Sequence, residues 1–194
     1  PSAMHAPFAR IDNGRIVSER RLWDFSGFVL QRVERELNDA AEVQRMLLPP
    51  GGFTGDGFDV AASSIPARTI GGDFFDYFDL PGGGLGFILA DVAGKGPSAA
   101  IMAANVQGIF ASHVASTDGP AATLKRVNQA LYRRTVETRF ATVFYGVLDP
   151  EGVLTSCNAG HNPPFLLGAG GSVRRLSRGG LLIGPFEAAS YEEE

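Results

Sequence analysis

The stretch TIGGDFFDYFDL at 69–80 sets three aspartates, Asp73, Asp76 and Asp79, at intervals of three in an aromatic run behind the pair Gly71 and Gly72. A half-buried strand alternates polar and apolar residues and uses Asp sparingly, so this pattern points to a local use for negative charge. Another carboxylate, Asp91, closes the apolar run FILAD just before the glycine-containing loop VAGKG, which includes Val92, Gly94 and Lys95. An unpaired charge buried in such a strand costs several kcal/mol, so Asp91 is expected to have a partner. If the strands carrying Asp73 and Asp91 pair through the turn PGGG at 81–84, both carboxylates approach one point. An all-oxygen site with few histidines suits Mg²⁺ or Mn²⁺ better than Zn²⁺. AGKGPSAA is not a phosphate loop, because the spacing of its glycines is wrong and Pro97 follows Gly96.

The other polar residues of these motifs read as supports. Asp76, three positions after Asp73, faces the other side of a regular strand and is expected to hold the loop by hydrogen bonding, while Asp79 is expected to be solvated. His161 lies in NAGHNPP at 158–164, a turn-rich stretch in which histidine commonly bonds to the backbone.

Several elements must position these groups. Between 18 and 48 there is no Pro and one Gly, and Leu22, Phe25, Val29, Val33 and Leu37 recur at helical spacing among charges, which predicts one long amphipathic helix. Its narrow apolar stripe fits either a coiled-coil seam or a helix packed on its own domain. LLPPGG at 47–52 ends it and separates it from a domain at 52–194, and residues 1–17 are expected to form a tail. Strands are predicted at 58–65, 74–80 and 85–92, helices from Pro97 to about 115 and from Pro120 to about 137, and a hairpin from 140–148 and 153–158 around the turn DPEG. Short connections inside each β block imply α+β with antiparallel sheets.

The chain has 194 residues, 44% of them apolar, and a formal charge of -4 with its basic residues scattered. That leaves ample core for one domain and no concentrated basic face for nucleic acid. A lone cysteine, Cys157, excludes an internal disulfide and is expected in the core. No apolar run is long enough to insert in a membrane, and PSAMHAPFAR lacks a signal-peptide layout, so the cytoplasm is the expected location.

VQRMLLP at 43–49, ARTIGGDFFD at 67–76, ADVAGKGPSAAIMA at 90–103, FATVFYGVLD at 140–149 and NAGHNPP at 158–164 occur in this order. Together they resemble the SpoIIE/RsbU-type bacterial serine/threonine phosphatases, a branch of the PP2C-like metal-dependent phosphatases. The resemblance implies a PP2C-like sandwich of two antiparallel β-sheets flanked by helices, behind an N-terminal linker helix. It also implies a centre of two Mn²⁺ or Mg²⁺ ions held by Asp73, Asp91 and the backbone carbonyl of Val92, with catalysis through metal-activated water. Arg68 would orient phosphate, and Gly71, Gly72, Asp76, Gly94 and His161 would support the site. The implied substrate is a phosphorylated STAS-type anti-sigma-factor antagonist. The helix at 18–48 would connect to an upstream sensor or form a homodimer. The family carries a further metal-bridging Asp in a Thr-Asp-Gly segment beyond the residues present, so the chain is expected to lack the C-terminal part of the domain. A competing expectation is a catalytically weak or inactive interaction module that signals through its helix.

Overall fold

A computed structural model describes residues 10–12, 15–18, 22–55, 57–66, 68–114, 118–133 and 139–194, with side chains described from residue 27 onward. The chain divides into two compact units, Pro1–Ala40 and Ala41–Glu194. In the first, where a tail is expected, β1 (Arg10–Asp12) pairs antiparallel with β2 (Arg15–Ser18). Helix α1 (Leu22–Leu47) begins after this ribbon, inside the expected span 18–48, and leaves Phe28 and Leu30 more than 60% exposed, at 64% and 62%.

In the second unit, β3 (Gly52–Thr54) pairs with β4 (Asp59–Ala61). The strand expected over 58–65 is thus short, because its partner offers only three residues. β5 (Phe74–Asp79) and β6 (Leu85–Val92) form a hairpin whose turn uses Gly82 and Gly83 at positive φ, 95° and 91°. Such a turn is open to glycine at no steric cost. Helix α2 (Pro97–His113) starts with Pro97 where no donor is needed, and α3 (Gly119–Tyr132) follows. The expected ends of both helices, at 115 and 137, fall outside the described residues.

β7 (Ala141–Leu148) and β8 (Leu154–Ala159) make the second hairpin, β9 (Phe165–Leu167) and β10 (Val173–Arg175) a small ribbon, and β11 (Gly179–Gly180) lies parallel to β8. The main sheet has the order β11-β8-β7-β6-β5 and is antiparallel except at β11. Among the described residues of this unit, the other strands form two-stranded ribbons, so one five-stranded sheet carries the architecture.

Alternation decides which face of that sheet is core. On β6, Ile88, Ala90 and Val92 are buried, while Leu89 and Asp91 on the opposite face are exposed. The buried face packs with Val143, Tyr145 and Cys157 against Val106 and Phe110 of α2 and Leu124, Val127 and Leu131 of α3. Phe110 meets Tyr145 edge to face at 5.2 Å between centroids. Burial pushes the Cys157 thiol up to about 12, in keeping with a small core residue.

Candidate functional site

The β5–β6 register pairs Phe74 with Ala90, which places Asp73 across from Asp91 one step beyond the ladder. The β6–β7 register pairs Asp91 with Thr142. Directly opposed side chains share a sheet face, so Asp73, Asp91 and Thr142 make one row across three strands. His161 ends that row: its Nδ1 lies 2.9 Å from Thr142 Oγ1.

Asp91 is not buried. The expectation that it terminates a buried strand treats the whole apolar run as one environment, whereas the pleat turns Asp91 to the open face. Exposed there, it needs no buried counter-charge, and its neighbour across the row is Asp73, a like charge. The Asp73 carboxyl is held above its usual range by burial first, then by the Asp91 charge and a hydrogen bond between the two, with His161 acting in the opposite direction. Burial pushes the His161 imidazole down, and Asp91 and Asp73 pull it back up.

The supports come from elsewhere in the chain. Gly72 runs so close to β6 that a Cβ there would lie 2.7 Å from the Val92 carbonyl oxygen and 3.2 Å from Ala99 Cβ. Gly71 is gripped by a side chain: Gln44 Nε2 donates to the Gly71 carbonyl at 2.7 Å, and Gly71 N–H donates to Gln44 Oε1 at 3.2 Å. Asp76 points to the helix side, where its oxygens accept from the Tyr77 N–H at 2.9 Å and from Gln107 Nε2 at 2.8 Å. The same Gln107 nitrogen donates to the Leu47 carbonyl at 2.6 Å. Asn158, buried in β8, accepts the His161 N–H at 2.7 Å and donates to the Leu176 carbonyl at 3.3 Å.

A cleft of about 360 Å³ has Asp73 and Asp91 in its wall together with Arg68, Gly71, Gly72, Gly94, Lys95 and Thr142. Gly94 holds φ at 109°, a conformation costly for other residues. A neighbouring cleft of about 340 Å³ shares the two carboxylates and adds Ser63, Ser64, His161 and Asn162. Asp79 is exposed at the far end of β5. Among the described residues, no group of three or more His, Cys, Asp or Glu side chains closes into a metal cluster. The donor chemistry nevertheless fits a hard divalent cation, since two carboxylates on adjacent strands repel one another until a cation sits near them.

Gln44, Gln107, Thr142 and Asn158 are not visible as site residues in the sequence. Gln44, Thr142 and Asn158 lie inside the motifs VQRMLLP, FATVFYGVLD and NAGHNPP, which is the one signal that could have found them, and Gln107 lies outside every motif.

The chain matches the family Stage II sporulation protein E (SpoIIE) over residues 81–194, a span that includes Asp91 and His161 and begins after Asp73. It is 26% identical over 167 residues to the phosphoserine phosphatase RsbU of Bacillus subtilis (strain 168), covering 85% of this chain and 50% of RsbU. The chain therefore spans about half the length of that relative. The SiaA PP2C domain of Pseudomonas aeruginosa superposes with a TM-score of 0.65 at 20% identity, over 86% of this chain and 68% of that one. The RsbU and RsbW domains of a Mycobacterium tuberculosis protein superpose with a TM-score of 0.57 at 26% identity, over 67% and 37%. The α+β, PP2C-like architecture expected from the motifs is the fold of this chain.

Proposed function

The chain belongs to the SpoIIE family, and on that premise we propose that the Asp73–Asp91 pair is the centre of a metal-dependent phosphatase acting on phosphoserine or phosphothreonine in a protein. One observation carries the reading: two carboxylates from neighbouring strands meet in the wall of a cleft that also presents Arg68 and Lys95. Asp73, Asp91 and the Val92 carbonyl are the groups that would hold Mn²⁺ or Mg²⁺, two ions in this reading. Bound there, the cations supply a water nucleophile at neutral pH and offset charge on the phosphoryl oxygens.

The chain's own residues do the rest. Arg68 and Lys95 attract and orient a phosphate dianion in the cleft. Gly72 permits the close approach that sets Asp73 beside Asp91, and Gln44 fixes Gly71 next to it. Asp76 ties β5 to α2, and Thr142 with Asn158 holds His161 beside the carboxylates.

The substrate in this reading is a phosphorylated STAS-type anti-sigma-factor antagonist in bacterial signalling. Helix α1 is the connection to an upstream sensor and the surface for a homodimer, supported by the exposure of Phe28, Val29, Leu30 and Val33. Among the described residues no helix is long and apolar enough to cross a membrane.

A second reading, a catalytically weak interaction module, rests on the donor count: two carboxylates compensate the charge of a binuclear centre poorly. Mn²⁺-dependent release of phosphate from p-nitrophenyl phosphate and from a phosphoserine protein separates the two. The enzyme reading expects turnover that Asp91→Asn abolishes. Equal rates in Asp91→Asn and the parent would remove Asp91 from the site, and no turnover by the parent would favour the module.

A further inference from the structure

The β9–β10 ribbon exposes an apolar face that no part of the phosphate chemistry uses. Its register pairs Val173 with Leu167 and Arg175 with Phe165, so these four side chains share one face. Phe165, Leu167 and Val173 are 60%, 72% and 61% exposed, and Arg175 stacks over the Phe165 ring at 5.1 Å. Two small strands with three bare apolar side chains are an unfavourable surface unless something covers them.

Charge and position indicate what covers it. Residues 163–178 carry Arg174, Arg175 and Arg178 and no acidic residue, in a chain whose formal charge is -4. Arg178 is taken up by Glu192 and Arg174 lies with Leu166 on the opposite face, whereas Arg175, on the apolar face, has no carboxylate partner among the described residues. The ribbon is also tied to the phosphatase site. Phe165 lies four positions after His161, a reach of at most about 14 Å. The amide of Asn158 grips the His161 backbone with one end and the carbonyl of Leu176, the buried root of β10, with the other.

We propose that the Phe165–Leu167–Val173–Arg175 face is the docking surface for the phosphoprotein, and that it takes a substrate segment combining apolar and acidic side chains a few residues from the phosphoserine. This rests on the phosphatase reading above and adds where substrate selection occurs. An aromatic ring stacked by an arginine, beside two aliphatic side chains, has the composition of a binding hot spot. An extended substrate covers about 14 Å in four residues, the same upper bound that the chain sets between His161 beside the carboxylates and Phe165.

The test uses the full chain and two fluorescein-labelled phosphoserine peptides, one with Leu and Glu about four to six positions from the phosphoserine and one with Ser and Gly there. Anisotropy should show the Leu/Glu peptide binding about tenfold more tightly. Phe165→Ser combined with Arg175→Glu should erase that preference while leaving p-nitrophenyl phosphate turnover unchanged, and Leu167→Ser with Val173→Ser should act in the same direction. Equal affinities in the parent, or a preference that survives in both variants, overturn the docking surface. Equal affinities together with sedimentation on phosphatidylglycerol vesicles would assign the ribbon to a lipid surface instead. A parent that binds the peptides with preference but does not hydrolyse p-nitrophenyl phosphate with Mn²⁺ overturns the phosphatase reading and, with it, the substrate role of the ribbon.

Discussion

Gln44 and Gly71 form a closed pair of hydrogen bonds, with both polar atoms of the amide side chain engaged by one backbone residue. This is how a peptide group pairs in a sheet, here supplied by a helix side chain. It fixes the backbone two residues before Asp73. Each bond contributes about 1 kcal/mol net. Gln44→Ala should therefore leave the fold intact and loosen the placement of Asp73. The expected outcome is Mn²⁺ affinity, measured by calorimetry, weakened about tenfold with a thermal midpoint close to the parent's. Unchanged affinity would mean that Asp73 is positioned by β5 alone.

Gly72 offers a steric test of the same approach. A methyl group there would lie 2.7 Å from the Val92 carbonyl oxygen, which is backbone and cannot swing aside. Gly72→Ala should destabilise the domain by about 1–3 kcal/mol in urea unfolding. Gly108 in α2 is the control, because a Cβ added there would meet nothing within 4 Å. Alanine there should stabilise by up to about 1 kcal/mol. Equal effects at the two positions would contradict the crowding at Gly72.

Much of this site is legible before folding and part of it is not, for a physical reason. Asp73 and Asp91 stand out because a carboxylate contradicts its apolar surroundings, and local contradiction is visible in one dimension. Asp76 is separable from Asp73 by strand parity alone, and the structure gives it Gln107 as a partner. Gln44 is invisible because a glutamine on an amphipathic helix is ordinary until Gly71, 27 residues away, is folded beside it. The strands β1, β2, β9, β10 and β11, each two to four residues long, escape detection because so short a segment has no period to recognise. The apolar run before Asp91 overstates that residue's burial for a related reason, since composition reports a strand's mean environment and the pleat splits it into two.

The like-charge pair gives the metal-free protein a pH signature. The Asp73 carboxyl is raised above its ordinary 3.8 by burial and by Asp91, so the folded state binds its proton more readily than the unfolded state. Stability from this group is then fully present below 3.8 and is lost as pH rises through the folded value. Asp73→Asn mimics the protonated form at every pH. In chelator-treated samples the variant should match the parent under acid conditions and become the more stable of the two toward neutral pH. Added Mn²⁺ should reverse the order, because the parent alone regains a compensated pair. A parent that is the more stable at neutral pH without metal would show that Asp73 is not strained by its neighbour.

Asn158 and Thr142 both hold His161, but Asn158 is buried and Thr142 only half-buried, and this predicts different losses. Asn158 is buried, accepting the His161 N–H at 2.7 Å and donating to the Leu176 carbonyl at 3.3 Å, so Asn158→Ala deprives two backbone groups of a partner, the second of them buried. That should cost about 2 kcal/mol of stability as well as activity. Thr142 is half-buried and touches only the ring, Oγ1 to Nδ1 at 2.9 Å. Thr142→Val keeps the shape of the side chain and removes that contact. Its stability should stay within about 0.5 kcal/mol of the parent while phosphate release falls. Comparing the two variants by urea unfolding and by p-nitrophenyl phosphate turnover separates support of the fold from orientation of the imidazole. If Thr142→Val retains full turnover, the hydroxyl is not what orients the imidazole, and the carboxylates of Asp73 and Asp91 hold the ring without it.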